Sequence, residues 1–428
     1  MDITVKKSNR LKGEVVIPAD KSISHRAIMF SSLAKGKSIV KNLSQGADCF
    51  STLGIFKQLG IKTEFKDEKT LLIDSTDGII APSEALDCGN SGTSMRLISG
   101  ILAGQNFNSI MVGDESLSKR PMRRVVEPLT QMGANIESKD GHAPLKIVGK
   151  DLKGIRYLSK LASAQVKSCI LLAGLNASGE TTVIEPYLSR NHTELMLEYM
   201  GADIKTGIDE DGDPFASIKK SELEPKNIYV TGDISSAAYF IVAGLIIPNS
   251  EVILHDVGLN ETRTGIIKVV QQMGGDIEIL DKKTVSGEVM GDIRVKSSEL
   301  KSINIEGEII PRLIDELPVI AVLATQAEGQ TVVRNAQDLR NKESDRIKTI
   351  VTELKKVGAD IEETPDGFII NGKTNLKGDA EIETYHDHRL AMSMYVAGMV
   401  CEKEILIKDF EWVNISFPEF ESLMNSLG

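Results

Sequence analysis

Five glycines recur at one kind of place in this chain, and they constrain its fold more than any other feature. The segments QLGIKTEF, QMGANIES, YMGADIKT, QMGGDIEI and KVGADIEE set Gly60, Gly133, Gly201, Gly274 and Gly358 between an amphipathic run and a stretch of alternating residues. The intervals are 73, 68, 73 and 84 residues, and the chain stops at Gly428, 70 residues after the last of them. A glycine there takes the left-handed position that ends a helix, and the alternation after it predicts a strand. Six helix ends at near-constant spacing mark an internal repeat of about seventy residues.

A second signature lies between them. Helices apolar almost all round are predicted near 22–34, 91–103, 163–175, 235–247, 315–327 and 387–400, with cores such as MRLISGILA and AAYFIVAGLII. A helix without a polar stripe must be covered on every side. Each is followed by a small polar turn and a β-rich run, as in GKSIVKNL, GETTVIEP and GQTVVRNA. The repeat therefore reads strand, buried helix, strand, exposed helix, strand, six times over, in an α/β chain. Six such units exceed a single hydrophobic core, so two halves of three are expected. The acidic, proline-containing stretch Ser221 to Lys226 falls between repeats three and four and marks the expected crossing.

Composition narrows the function. Lys plus Arg number 50 against 61 Asp plus Glu, a net charge of −11 over 428 residues, which argues against general nucleic-acid binding. Any anion site must be a local concentration of positive charge. Trp412 is the single tryptophan and aromatics make up 4%, too few for a base-stacking platform. Cys49, Cys88, Cys169 and Cys401 contain no CxxC pair and fit a reducing cytosol. The polar start MDITVKKSNR does not read as a signal peptide, and the longest apolar run, Ala237 to Ile247, is well short of the ~20 residues that span a bilayer. A cytoplasmic protein with no membrane partner is expected.

The chemistry is written at the starts of the buried helices. They read Asp20-Lys21-Ser22-Ile23-Ser24-His25-Arg26, Cys88-Gly89-Asn90-Ser91-Gly92-Thr93-Ser94-Met95-Arg96, Ser163-Ala164-Gln165-Val166-Lys167, Gly232-Asp233-Ile234-Ser235-Ser236, Asp315-Glu316-Leu317-Pro318 and His386-Asp387-His388-Arg389. Ser, Asn and Asp are good N-caps and Pro suits a first turn, so capping alone accounts for Ser235-Ser236. It does not account for Lys21, Arg26, Arg96, Lys167 and Arg389. A cation near a helix N-terminus opposes the macrodipole, at a cost of a few tenths to ~1 kcal/mol. An anion held by both the helix end and the side chain removes that conflict.

Two basic clusters add to this reading. Lys119-Arg120-Pro121-Met122-Arg123-Arg124 leads into the helix ending at Gly133, with Arg123 and Arg124 suited to a solvated turn. Arg340-Asn341-Lys342-Glu343-Ser344-Asp345-Arg346 opens the helix ending at Gly358, where Lys342 and Arg346 are expected on one face beside Glu343. A carboxylate among cations suits acid–base work. Gly36-Lys37-Ser38 is no phosphate loop, because Ser31 stands where the loop glycine belongs, and His386 and His388 lack a matching ligand cluster, so no metal is expected.

PADKSISHRAIM (18–29), GNSGTSMRL (89–97), SAQVKS (163–168), RNKESDR (340–346) and DHRLAM (387–392) resemble the 5-enolpyruvylshikimate-3-phosphate synthase family, in order along essentially the whole chain. The resemblance implies an inside-out α/β barrel of two domains, each with three βαβαββ units and the active site in the cleft between them. It also implies that the chain crosses twice, so that residues 1–18 join 230–428 and residues 19–229 form the other domain. The implied reaction moves the enolpyruvyl group of phosphoenolpyruvate to the 5-hydroxyl of shikimate 3-phosphate, with no cofactor and no metal, by an expected monomer. Shikimate 3-phosphate is then expected at Lys21, Ser22, Arg26, Ser163, the Ala164 backbone, Gln165, Asp315 and Lys342, with Arg190 added from the S-R-N-H-T-E segment. Phosphoenolpyruvate is expected at Lys21, Gly92, Arg120, Gln165, Arg346 and Arg389. Asp315 matches the family's base, Glu343 its partner acid–base group, and Lys21 the residue between the two anions.

Three departures qualify the resemblance. Ala19 stands for the usual glycine before the DKS motif. Gly92 is kept where members can carry alanine, which leaves room beside phosphoenolpyruvate and for glyphosate. Ile415 precedes Ser416-Phe417-Pro418 where some members have lysine. The sister enzymes that use UDP-N-acetylglucosamine have asparagine at the position of Ser22 and usually a cysteine in the loop corresponding to Asp114–Arg124, which has none here. A non-catalytic anion-binding scaffold is the other reading, and Asp315 and Glu343 stand against it.

Overall fold

The structure is a computed structural model that describes residues 1–428. It divides into two compact units. The N-terminal unit comprises Ala19–Thr231 with Thr284–Glu288, and the C-terminal unit Met1–Pro18, Gly232–Lys283 and Val289–Gly428. The change of unit falls at 231/232, beyond both the 229/230 boundary and the Ser221–Lys226 stretch expected from sequence. Ile228–Tyr229 pairs in parallel with Lys37–Lys41, and the bonds of Val230 N–H to the Lys41 carbonyl at 3.0 Å and of Asp20 N–H to the Thr231 carbonyl at 2.7 Å keep the next two residues in the N-terminal unit. The short segment Thr284–Glu288 was also unforeseen, because it is the tip of a hairpin whose strands belong elsewhere.

The helix-ending glycines behave as their spacing predicts. Gly60, Gly133, Gly201, Gly274 and Gly358 have φ between +85° and +98°. Beyond each, a backbone N–H reaches five residues back: Ile61 to Phe56, Ala134 to Leu129, Ala202 to Leu197, Gly275 to Val270 and Ala359 to Leu354, at 2.9–3.0 Å. This arrangement satisfies carbonyls the helix leaves open, and only glycine enters the left-handed region without strain.

The buried helices are Lys21–Leu33, Gly92–Ala103 and Ala164–Gly174 in the N-terminal unit, and Ile234–Ile246, Leu317–Thr325 and His388–Gly398 in the C-terminal unit. All of Leu317–Thr325 is buried, as is Ile234–Leu245. Outer helices instead bury one stripe. Val125, Pro128 and Leu129 do so on Arg123–Gln131, at the i, i+3, i+4 spacing of an amphipathic face. Each unit has its own apolar core, built around its three buried helices.

Six sheets surround these helices, three in each unit. Those of the N-terminal unit share one pattern. In the first, Lys37–Lys41 lies parallel to Ile228–Tyr229 and antiparallel to Thr70–Asp74, which returns along Lys62–Asp67. Leu86–Asp87, Asn108–Val112, His142–Val148 and Asn135–Lys139 repeat it, and so do Arg156–Leu158, Glu180–Ile184, Pro214–Lys219 and Ile204–Ile208. In the C-terminal unit Lys12–Val16 runs parallel to Glu251–Gly258, flanked by the hairpin Asp276–Val285 and Glu288–Lys296. Ala327–Val333 likewise lies beside Leu300–Lys301 and the hairpin Asp360–Thr364 and Gly367–Gly372. The last sheet departs: Ile405–Ile407 pairs in parallel with Ala380–Ile382 but takes the N-terminal strand Ile3–Val5 as its antiparallel partner. The sixth repeat therefore lacks a hairpin of its own.

Candidate active site

Cations at the starts of the buried helices are real, and no acid stands in the first turn of any of the six. Asp20 caps the Lys21–Leu33 helix, taking the Ile23 N–H on its side chain at 2.8 Å. One turn on, Arg26 is buried and hydrogen-bonded through each of its three nitrogens. Its Nε donates to Thr193 Oγ1 at 2.7 Å, its Nη2 to Ser168 Oγ at 2.8 Å and its Nη1 to the Ser22 carbonyl at 3.0 Å. These acceptors are uncharged, so the guanidinium keeps a net positive charge to offer an anion. Burial, opposed by Glu194 and reinforced by the nearby Arg190, lowers the Arg26 pKa to about 10, which leaves it protonated at neutral pH. Lys21 Nζ forms an ion pair with Asp48.

The Gly92–Ala103 helix holds the second group. Ser91 caps it by accepting the Ser94 N–H at 3.1 Å. Arg96 Nη1 donates to Gln165 Oε1 at 2.7 Å, and Gln165 Nε2 to Thr93 Oγ1 at 3.1 Å, which fixes the orientation of the Gln165 amide. Arg120 is held by Asn90, with Nη2 at 2.6 Å from Oδ1 and Nη1 at 3.3 Å from the carbonyl. A Cβ at Gly92 would lie 2.9 Å from Arg96 Nη1 and 3.5 Å from Arg120 Nη1. Gly92 thus lets two guanidinium groups approach a helix N-terminus, an arrangement suited to a carboxylate or phosphate.

Lys167 has a different role from the one its position suggests. Its ammonium is 1% exposed and lies 2.8 Å from Glu185 and 2.7 Å from Glu194, so internal carboxylates answer its charge. Burial pulls its pKa down, but the two glutamates outweigh that and hold it above the usual lysine value.

In the C-terminal unit, Arg346 is the hub. Its Nε lies 2.7 Å from Asp387 Oδ2, its Nη2 2.5 Å from Glu343 Oε2, and its Nη1 3.2 Å from Asp315 Oδ1. Lys342 Nζ is 3.6 Å from the same Asp315 oxygen, and Arg389 Nη1 donates to the Asp315 carbonyl at 3.4 Å. Burial would lower the pKa of both arginines. For Arg346 the charges of Asp387, Glu343 and Asp315 prevail, for Arg389 that of Asp315 above all, and both are held above the usual range. Asp387 also caps the His388–Gly398 helix through the Arg389 N–H at 3.0 Å. Burial would raise its pKa, and Arg346 overrides this to hold it low.

Three local expectations change. Lys342 and Arg346 do not share a helical face, because the helix begins only at Arg346, capped by Asp345, and they meet instead through Asp315. Asp315 does not cap its helix, since the N-cap residue is Glu316, and its side chain faces the cations. Ser235 is not a cap: Asp233 caps that helix by accepting the Ser235 N–H at 2.9 Å, and the Ser235 hydroxyl bonds Glu316 and accepts from Arg263 Nη2 at 2.7 Å. Thr193, Ser168 and Asn90, which hold the cationic groups, lie within the quoted motifs but were not singled out there, and Asp48 and Glu185 lie outside the motifs that carry the resemblance. His25, in the middle of the first motif, is a buried group hydrogen-bonded to Thr52 at 2.7 Å.

One unit therefore gathers cations at the starts of its buried helices, and the other sets a carboxylate among cations, an arrangement suited to a transferase acting on phosphorylated acids. The family model of EPSP synthase (3-phosphoshikimate 1-carboxyvinyltransferase) matches residues 5–424, and the chain belongs to that family. The 3-phosphoshikimate 1-carboxyvinyltransferase of Thermoanaerobacter sp. (strain X514) is 50% identical over 428 residues, covering 100% of both chains. That of Geobacter metallireducens is 49% identical over 430 residues, covering 99% of this chain and 98% of its own. The solved EPSP synthase of Acinetobacter baumannii superposes with a TM-score of 0.88 at 44% identity, covering 100% of this chain and 98% of that one. The enolpyruvyl transferase NikO from Streptomyces tendae, 16% identical with a TM-score of 0.80 over 99% and 97% of the two chains, shares the mixed α/β fold. In the structure no helix is long and apolar enough to cross a membrane.

Proposed function

We propose a division of labour among these side chains for the reaction of the family. The chain transfers the enolpyruvyl group of phosphoenolpyruvate to the 5-hydroxyl of shikimate 3-phosphate and releases phosphate, a step of the shikimate pathway towards chorismate and the aromatic amino acids. Shikimate 3-phosphate is bound by Ser22, Arg26, Ser163, the Ala164 backbone, Gln165, Arg190 and Lys342. Phosphoenolpyruvate is bound by Arg120, Gln165, Arg346 and Arg389, with Gly92 leaving it room. Lys21 lies between the two anions and steadies the departing phosphate.

Asp315 accepts the proton of the 5-hydroxyl as its oxygen attacks C2 of phosphoenolpyruvate. Glu343 delivers a proton to the methylene carbon, giving a tetrahedral intermediate. The methyl group then returns a proton as the C–O bond to phosphate breaks, restoring the double bond. Arginines hold carboxylate and phosphate bidentately, and preorganised charge in a closed site is commonly the largest contribution to rate. Proton transfer and charge neutralisation by these groups account for the reaction without metal or cofactor.

The reading rests above all on Asp315 with Lys342 and Arg346 both beside its Oδ1. The repeated strand-and-hairpin sheets support the finer architecture, an inside-out α/β barrel of βαβαββ units, three to a domain. Phosphate release from phosphoenolpyruvate is the test. Release with shikimate 3-phosphate and none with UDP-N-acetylglucosamine is expected. The reverse would assign the chain to the sugar-nucleotide reaction, and no release with either would leave an anion-binding scaffold.

A further inference from the structure

We propose that Glu185 is a positioning residue for the shikimate 3-phosphate site, acting through Ser163 and Ser189, an inference that rests on the assignment of Ser163, Arg26 and Arg190 to that substrate. Glu185 is 2% exposed and follows the strand Glu180–Ile184. One oxygen, Oε1, accepts the Ser163 N–H at 3.1 Å, at the residue that begins the Ala164–Gly174 helix. The other, Oε2, accepts the Ser189 N–H at 3.3 Å and the Ser189 hydroxyl at 2.8 Å, immediately before Arg190. The same oxygen pairs with Lys167 at 2.8 Å.

A single buried carboxylate therefore ties together two separate chain segments that supply substrate contacts. Ser163 has no side-chain cap bond to the helix it begins, so Glu185 anchors its backbone in place of a local cap. Lys167 makes this possible. A lone buried carboxylate would be costly, and the ammonium offsets its charge. Glu194, the second partner of Lys167, follows Thr193, which orients Arg26. The buried cluster Lys167–Glu185–Glu194 is thus continuous with the groups that hold Arg26, Ser163 and Ser189, the residue before Arg190, and holding such groups to within a fraction of an ångström is what a supporting shell provides.

Two variants test the role. Glu185→Gln keeps the shape but weakens the hold on Lys167. Ser189→Ala removes one hydrogen bond without stranding a charge, so it folds even where the first is damaged. Calorimetry with shikimate 3-phosphate should show about tenfold weaker binding for Glu185→Gln and about threefold for Ser189→Ala, by loss of one or two positioning hydrogen bonds. The KM for phosphoenolpyruvate should change less than about twofold, because Arg120, Arg346 and Arg389 make no bond to Glu185 and the Gln165 amide is held separately by Arg96 and Thr93. Parent-like shikimate 3-phosphate affinity in both variants overturns the inference, as does an equal loss for both substrates that tracks the fall in melting temperature. Arg26→Ala separates the two levels. If it too binds shikimate 3-phosphate normally, the site assignment itself fails; if it alone loses binding, only the positioning role fails.

Discussion

Asp315 and Arg346 face each other across 3.2 Å, from Oδ1 to Nη1, although 31 residues separate them in the chain. The contact gives the proposed base a fixed direction, and the same guanidinium holds Glu343 at 2.5 Å. One buried arginine thus orients both carboxyl groups that the proposed chemistry requires.

Replacing that base tests the arrangement directly. Asp315→Asn should lower turnover by about 10²–10⁴, the usual effect of losing a general base. Calorimetric affinity for shikimate 3-phosphate should stay within a few fold of the parent, since the amide still accepts from Lys342 and Arg346. Near-parental turnover would remove Asp315 from the mechanism.

Gly92→Ala probes the neighbouring guanidinium groups. The new methyl would meet Arg96 Nη1 at 2.9 Å and Arg120 Nη1 at 3.5 Å, both ends of flexible side chains, and the backbone there has no positive φ. The helix should fold at least as well, because alanine is the better helix former by up to ~1 kcal/mol. The displaced arginines should raise the KM for phosphoenolpyruvate and weaken glyphosate inhibition, with little change for shikimate 3-phosphate. A lower melting temperature with both substrates weakened together would instead mean that Gly92 serves only the turn.

His25 gives the stability a pH dependence of known sign. Burial pushes its imidazole from 6.5 down to about 3. Between those values the unfolded chain binds a proton that the folded chain refuses, so stability falls as the pH drops below 6.5 and levels off only near the folded pKa. The contribution is about 1.4 kcal/mol per pH unit. His25→Asn can keep a hydrogen bond to Thr52 and removes the titration. Chemical denaturation at pH 7, 6, 5 and 4 should show the parent losing more stability than the variant at each step below 6.5. Parallel curves would show that His25 is protonated in the folded state.

The cysteines should be silent in the native protein. All four are buried, and burial raises the Cys49, Cys169 and Cys401 thiols to about 12 and raises Cys88 as well. The thiolate is the reactive form, so a disulfide reagent at pH 8 should titrate fewer than about one thiol in minutes and all of them in denaturant. Fast reaction of the native chain would point to local opening.

Much of this protein is decided by short stretches of sequence. A left-handed glycine after an amphipathic run ends a helix through hydrogen bonds five residues long, so Gly60 and its four counterparts announce the repeat without help from the rest of the chain. Helices apolar on every side declare their own burial, and the DKS, SAQVK and DHR starts announce a cationic site. What each cation answers to is settled only by packing. Lys167 and Arg26 look alike in sequence, each a cation one turn into a buried helix. In the fold Lys167 meets two carboxylates and becomes a structural charge, while Arg26 meets the uncharged hydroxyls of Thr193 and Ser168, 167 and 142 residues away, as the proposed anion-binding role requires. The same holds where Asp387 secures Arg346 from 41 residues on, and where Ile3–Val5 completes the last sheet from the far end of the chain. Helix ends and periodicity depend on neighbours within a few residues, whereas the partner of a buried charge depends on which distant segments are brought together around it.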